Sequence, residues 1–322
     1  MGGGPGRPRL ARSLALGGGP VSDLTPLAVF AVAAAGAAIV GLLEQLVAGV
    51  RPAPLALARA AAATLRQPLS RPDRRDGWLF HLAPGLLLIA ALGALAFVPW
   101  APGFRGIDLS TGAIAFAAAL AYVTPAIFMA GWGAGRPLAV VGGFRWLALM
   151  LAYAMPLAMI ITAVAAPAGS LRPTDIVEVQ HAVPMALVQP LALALWLPAA
   201  LAVCFLPPFD LPQADGELGG GAFSEYRGLD AALIGFAQRI LLVAVSGMTA
   251  VLFLGGWQGP LLPPALWMAL KTMAVAGLFL WVGRRLPRLE VDRVLSLAWK
   301  VANPLAILAI AYAGLITLLF YR

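Results

Sequence analysis

Long apolar runs recur along the chain, separated by short segments that carry most of the charge. A helix needs about 20 apolar residues to cross the hydrocarbon core of a bilayer, at ~1.5 Å per residue. Eight runs reach that length, and they cover residues 27–50, 79–100, 111–134, 141–166, 184–206, 231–254, 261–283 and 302–321. The pattern predicts an all-α integral membrane protein with a bundle of eight transmembrane helices. An even number of spans places both termini on one side of the membrane.

The composition agrees with this prediction. Hydrophobic residues make up 61% of the 322 residues and charged residues 11%, whereas soluble domains carry about 25% charged residues. An ordinary soluble enzyme and a disordered chain are therefore excluded. The single cysteine, Cys204, excludes an internal disulfide and a cysteine-rich metal site. His81 and His181 lie far apart, so no histidine metal site is predicted, and we interpret both as structural.

The basic residues are distributed unequally between the two sides of the predicted bundle. Thirteen Arg and Lys residues follow odd-numbered spans, and six lie on the opposite side, the termini included. The positive-inside rule assigns the thirteen to the cytoplasm and both termini to the outside. The net charge of +8 is therefore read as topological, and no nucleic-acid partner is expected. Residues 1–22 are expected to form a flexible tail before a single membrane domain, residues 23–322.

A short helix is predicted in the segment after span 1. Between residues 55 and 66, Arg59 and Arg66 are seven positions apart and share one face of a helix. An apolar face lies away from them and consists of Leu55, Ala58, Ala62 and Leu65. This pattern suits a helix that lies in the membrane interface, and a solvated loop helix is the alternative.

The segment after span 5, residues 209–228, is acidic and is called the acidic loop below. It contains Asp210, Asp215, Glu217 and Glu225, with Arg227 as its one basic residue. Acidic residues contribute little to topology, so topology does not explain the cluster. Carboxylates that are buried or repel one another titrate nearer to neutral pH, which suits proton exchange. The alternative is a solvated acidic connector.

Ionisable residues within the spans are a second group of candidates, because charge inside a bilayer is costly. Glu44, Arg145, Arg239 and Lys271 qualify by position. Glu44 and Arg239 can also extend to the interface, and Arg145 can pair with the acidic loop or mark topology. Lys271 lies near the middle of span 7, where a carboxylate is a candidate partner.

The acidic loop resembles that of a known family. It reads Pro208-Phe-Asp-Leu-Pro-Gln-Ala-Asp-Gly-Glu-Leu218 and then Ser224-Glu-Tyr-Arg-Gly228. It is similar to the Pro-Phe-Asp-Leu-Pro-Glu-Ala-Glu-x-Glu-Leu and Thr-Glu-Tyr-x-Gly motifs of a membrane protein of respiratory complex I, the H subunit of the bacterial NADH–quinone oxidoreductase. Further similar segments include Leu79-Phe-His-Leu-Ala-Pro84 and Gly142-Gly-Phe-Arg145. The resemblance extends over nearly the whole chain after the tail.

The resemblance implies a function for the chain. In this family the protein carries no redox centre, anchors the iron–sulfur arm, lines the quinone chamber and links it to proton translocation. The implied substrate is a quinone, the implied partners are peripheral iron–sulfur subunits and other membrane subunits, and the location is the bacterial inner membrane. The residues carried over as quinone-chamber or proton-transfer candidates are Glu44, Arg145, Asp210, Asp215, Glu217, Glu225, Tyr226 and Lys271.

The chain departs from the family pattern within the spans. Val203, Ala154 and Gln238 stand near or at positions where the family has carboxylates, and the segment after span 1 is shorter. Two alternatives stay open. One is the membrane anchor of an energy-converting hydrogenase or formate hydrogenlyase, although the intact Phe-Asp-Leu-Pro motif favours the quinone branch. The other is a stand-alone transporter, which would often contain internal repeats.

Overall fold

The computed structural model describes residues 26–70, 72, 75–102, 104, 106–213 and 215–320. The predicted tail, residues 1–22, lies outside the described residues. Within them the regular structure is helical, and the only β-type pairing is an isolated bridge between Ala101 and Phe104. The predicted all-α membrane class is confirmed.

Fourteen α-helices occur in the described part of the chain. The first seven are α1 Pro26–Val47, α2 Pro54–Leu65, α3 Gly77–Ala96, α4 Gly112–Ala121, α5 Val123–Gly133, α6 Pro137–Ala165 and α7 Pro173–Val179. The others are α8 Met185–Val188, α9 Pro190–Val203, α10 Asp215–Leu218, α11 Gly228–Phe253, α12 Pro264–Arg285, α13 Val291–Leu297 and α14 Asn303–Phe320. A π-helical turn, Ala298–Ala302, joins α13 to α14.

Seven segments of the described chain are long and apolar enough to cross a membrane. They are Leu27–Val47, Gly77–Ala96, Gly112–Gly133, Pro137–Ala168, Gly228–Phe253, Pro264–Arg285 and Val291–Leu319. The predicted fifth span differs, because it is divided at Gln189 into α8 and the 14-residue α9. Pro190 cannot continue the hydrogen-bond ladder, and the Gln189 side-chain amide instead donates to the Ala163 carbonyl at 3.1 Å.

Helix α11 is the centre of the bundle. It packs against α3, α12 and α1, and residues 240–253 are all buried. Small residues allow this close packing, as in other membrane bundles; for example, Gly36 of α1 faces Val243. The indole of Trp196 donates to the Thr249 hydroxyl at 2.8 Å. The core therefore combines apolar packing with a few satisfied polar contacts.

The helix predicted after span 1 is present as α2. None of its residues is buried, and it approaches the bundle through Leu57, which lies against Gly41 of α1. The side-chain carbonyl of Gln45 accepts a hydrogen bond from the Ala53 amide at 2.8 Å, next to the start of α2. The predicted apolar face, including Leu55 and Leu65, is exposed. Such a face suits contact with lipid or with another protein.

Candidate functional site

The acidic loop is folded back against α6 by contacts between backbone atoms. The Ala222 amide donates to the Pro212 carbonyl at 3.1 Å, which closes the loop on itself. Gly221 has φ +52°, and a Cβ there would collide with the Pro212 carbonyl. On the facing helix, a Cβ at Gly142 would lie 2.6 Å from both the Ala222 nitrogen and the Pro212 oxygen. Glycine at these two positions therefore allows the loop to lie directly on the membrane bundle.

Three carboxylates of the loop pair with arginines from other parts of the chain. The pairs are Asp210 with Arg288 at 2.7 Å, Glu217 with Arg145 at 2.6 Å, and Glu225 with Arg136 at 3.7 Å. The arginines belong to the α12–α13 link, to α6 and to the α5–α6 link. The charge of the loop is thus balanced by residues distant in sequence, whereas within the loop only Arg227 was available. The side chain of Asp215 lies outside the described part of the structure.

The three paired carboxylates lie at different depths. The side chain of Glu217 is 64% exposed, that of Glu225 27% and that of Asp210 7%. An arginine partner favours the ionised form of a carboxyl group, and burial opposes it. The loop therefore provides acceptors for protons from the solvent-exposed edge to the interior.

Tyr226 joins the acidic loop to α3. Its hydroxyl donates to the Phe80 carbonyl at 2.9 Å, and its ring stacks on the Phe80 ring at 4.2 Å between centroids. Burial raises the pKa of this phenol well above its ordinary value, and the carboxylate of Asp230 raises it further. The hydroxyl therefore stays protonated at neutral pH, and its geometry is that of a fixed donor.

Glu44 connects three helices at the end of α1. The Arg239 guanidinium of α11 donates to Glu44 Oε2 at 2.9 and 3.2 Å. Arg284 of α12 donates to the Glu44 backbone carbonyl at 2.8 Å. Both members of the Glu44–Arg239 pair are about one third exposed. The two residues proposed from sequence to extend separately to the interface thus bind each other.

Lys271 has partners other than the expected carboxylate. Its ammonium donates to the backbone carbonyls of Leu254, Gly256 and Gln258 at 2.6, 2.9 and 2.7 Å. These carbonyls follow the C-terminus of α11, whereas the acidic loop precedes its N-terminus. The 26 residues of α11 separate the two ends by about 39 Å. The suggested partnership with an acidic-loop carboxylate is therefore wrong, and Lys271 caps the opposite end of the helix.

Replacing Lys271 with methionine should destabilise the fold without changing catalysis in the protein that remains assembled. Hydrogen bonds to a charged group contribute about 1.5–3 kcal/mol, and we expect a net loss of about 2 kcal/mol. The apparent melting temperature in detergent should fall by roughly 4–8 °C. Lys300→Met, at an exposed position, is the control and should melt like the wild type. An unchanged melting temperature in Lys271→Met would contradict the capping role.

An apolar cavity of about 270 Å³ lies beside the acidic loop, between α6, α9 and the α13–α14 connection. Phe209 of the loop lines it, together with Pro156 of α6, Pro198 of α9 and Val301 of the π-turn. Sites for whole small-molecule ligands usually have volumes of about 300–1,000 Å³. The cavity is therefore slightly smaller than a typical complete site.

Sequence reasoning missed several residues near the loop. Arg136 and Arg288 were read as topological charges, yet they bind Glu225 and Asp210. His81 was read as structural, and its Nδ1 lies 3.5 Å from the Asp230 carboxylate. These partners are far apart in the chain, so no local pattern could have indicated the pairs.

Comparison with known proteins agrees with the site and the fold. The family model described as NADH dehydrogenase matches residues 52–314. The chain belongs to the NADH dehydrogenase family. This result confirms the resemblance to the H subunit of complex I that the motifs of the acidic loop indicated.

Two curated relatives are both 36% identical to the chain, and both are H subunits of an NADH-quinone oxidoreductase. One is the second form of this protein in Geobacter sulfurreducens, matched over 76% of this chain and 77% of the relative. The other is the first form in Geobacter metallireducens, matched over 77% and 78%. The family therefore covers most of the membrane domain, the acidic loop included.

A solved structure has the same fold. It belongs to the membrane-bound sulfane sulfur reductase, an archaeal respiratory membrane complex. The TM-score is 0.79 with 23% identity, and the match covers 89% of this chain and 97% of that one. At this identity the likeness concerns the fold of the NADH dehydrogenase family member alone.

Proposed function

We propose that the chain is the membrane subunit of a complex I-type oxidoreductase that reduces quinone and translocates protons. In this proposal it anchors peripheral iron–sulfur subunits, lines part of the quinone chamber and exchanges protons through its acidic loop. Electrons come from the clusters of the partner subunits. The membrane is the bacterial inner membrane, with both termini outside.

The arrangement of the acidic loop is the observation that carries this proposal. Reduction of a quinone to a quinol consumes two electrons and two protons. A site for this reaction needs groups that accept protons from solvent and pass them inward. Glu217, Glu225 and Asp210 form such a series, from exposed to buried, each beside an arginine. Opposite charge at each position allows a carboxylate to exist in a low-dielectric setting.

The small cavity supports a chamber that two or more subunits share. At about 270 Å³ it can hold part of a quinone but not its head group and tail together. A peripheral subunit over the acidic loop would complete the enclosure. The relatives, which are named as parts of NADH-quinone oxidoreductases, support the quinone branch of this fold over the hydrogenase branch.

Purification of the intact assembly tests the proposed function. With an affinity tag on this chain and extraction in mild detergent, iron–sulfur subunits should co-purify. The preparation should show cluster signals in electron paramagnetic resonance and should oxidise an electron donor with quinone as acceptor. A homogeneous single-chain protein that is active without any cofactor would contradict the proposal, as would an intact cluster-containing complex that reduces no quinone.

The proposed orientation has its own test. In a Cys204→Ser background, Asp76→Cys should be shielded from an impermeant thiol reagent in intact cells, because its segment carries the cytoplasmic arginines. Glu178→Cys, which follows Arg172 on the other side of the bundle, should be labelled. Both positions are exposed in the fold, so burial does not bias the comparison. The reverse pattern of labelling would overturn the orientation.

A further inference from the structure

His81 and Asp230 form an ion pair next to the acidic loop. His81 is in the second turn of α3, Asp230 in the first turn of α11, and Nδ1 lies 3.5 Å from Oδ2. The side chain of Asp230 is 12% exposed and that of His81 is 45% exposed. The carboxylate is thus held inside while the imidazole reaches solvent.

Tyr226 connects this pair to the acidic loop. It follows Glu225 in the chain, and its hydroxyl binds the carbonyl of Phe80, the residue before His81. The Phe80 ring lies between the two, stacked on Tyr226 and edge-on to His81. The imidazole and the carboxylate of Glu225 therefore lie on the same rim of the protein.

The chemistry of the pair differs from that of the arginine–carboxylate pairs. An arginine holds its proton throughout the physiological range, whereas imidazole gains and loses one there. A carboxylate at Nδ1 orients the ring and stabilises the imidazolium, as acidic partners of histidine do elsewhere. Nε2 is then the nitrogen available for exchange with solvent.

Other charged groups surround the pair. The titratable and charged groups of the elements around this end of α3 are Arg75, Asp76, Arg136, Glu225, Tyr226, Arg227 and Asp230. Arg136 is already paired with Glu225, and the Tyr226 hydroxyl with the Phe80 carbonyl. Asp230 is the acidic group in direct contact with the imidazole.

We propose that His81, positioned by Asp230, relays protons from the cytoplasmic solvent to the acidic loop during quinone reduction. This inference rests on the proposed function. His81 takes up a proton at Nε2 from water and releases the same proton toward the loop, so the ring returns to its neutral form. The two electrons come from the iron–sulfur clusters of the partner subunits, and each quinol formed draws two protons through the loop.

The rate of quinone reduction as a function of pH tests the relay. The tagged complex is compared as wild type, His81→Gln and Asp230→Asn, with His181→Gln as the control. His181 follows α7 on the opposite side of the bundle. In the wild type the imidazolium fraction falls as pH rises, so turnover should decline from about pH 6 to about pH 8. His81→Gln should lower turnover by about tenfold at pH 6.5 and flatten this decline.

The remaining variants separate a relay from a structural contact. Asp230→Asn should move the decline to lower pH, because the imidazolium loses its negative partner. Added imidazole should restore part of the rate in His81→Ala, since the position is half-exposed. A reduced rate with the wild-type pH dependence and no rescue by imidazole would overturn the relay and leave a structural ion pair. If the wild-type complex reduces no quinone, the proposed function fails and the relay with it. If His81→Gln does not assemble, the pH profile of Asp230→Asn decides: an unchanged profile overturns the relay.

Discussion

Substitution of Gly142 by alanine is expected to abolish most quinone-linked turnover, whereas Gly143→Ala should retain it. A Cβ at position 142 would lie 2.6 Å from two backbone atoms of the acidic loop, the Ala222 nitrogen and the Pro212 oxygen. Backbone atoms cannot move aside as a flexible side chain does, so the loop must separate from α6. Overpacking of this kind costs about 1–3 kcal/mol.

The neighbouring glycine is a matched control. A Cβ at Gly143 would meet the backbone of Phe128 at 3.6 Å, an ordinary van der Waals distance. The two substitutions are identical in chemistry and adjacent in the chain, and they differ in the surface that they touch. Turnover per iron–sulfur cluster and proteolytic cleavage of the acidic loop should change together in Gly142→Ala alone. Wild-type turnover in that variant would show that the packing of the loop on α6 is not needed.

The positions of the spans could be predicted from the sequence because long apolar runs have few alternatives in a membrane. The exception is the fifth span, where average hydropathy does not register a break. Gln189 and Pro190 divide that run, and the freed polar groups are satisfied by tertiary contacts such as that with Ala163. A window of composition detects apolar character but not the continuity of the hydrogen-bond ladder.

The partners of the charged residues could not be predicted in the same way. The motif identified the carboxylates of the acidic loop, but the arginines that bind them come from three distant elements. Lys271 illustrates the difficulty further. Its partners are backbone carbonyls in a turn where Gly255 and Gly256 have positive φ, and the sequence alone does not show where such carbonyls converge.

The second large effect is expected at Glu225. Its side chain is largely buried and lies beside Arg136 and next to Tyr226, between the exposed Glu217 and the buried Asp210. Glutamine has nearly the same volume but cannot accept and release a proton at neutral pH. Groups that transfer protons contribute about 10²–10⁴-fold to a rate. Because the other carboxylates of the loop can carry part of the flux, we expect turnover in Glu225→Gln to fall roughly tenfold.

Glu217→Gln should have a smaller effect than Glu225→Gln. Glu217 is mostly exposed, where solvent screens its pair with Arg145 and bulk water can replace its role. The order of the two effects therefore reports the direction in which protons enter the loop. Equal losses would indicate that depth is unimportant.

The most direct test of proton transfer through the acidic loop is the rate of donor-to-quinone electron transfer per iron–sulfur cluster in the Glu225→Gln complex. Glu290→Gln is the control, because Glu290 pairs with Arg293 and both side chains are more than two thirds exposed. We expect normal subunit and cluster content in both variants, a wild-type rate in Glu290→Gln and a rate roughly tenfold lower in Glu225→Gln. Wild-type rates in both assembled complexes would contradict this role and would make the acidic loop a solvated connector.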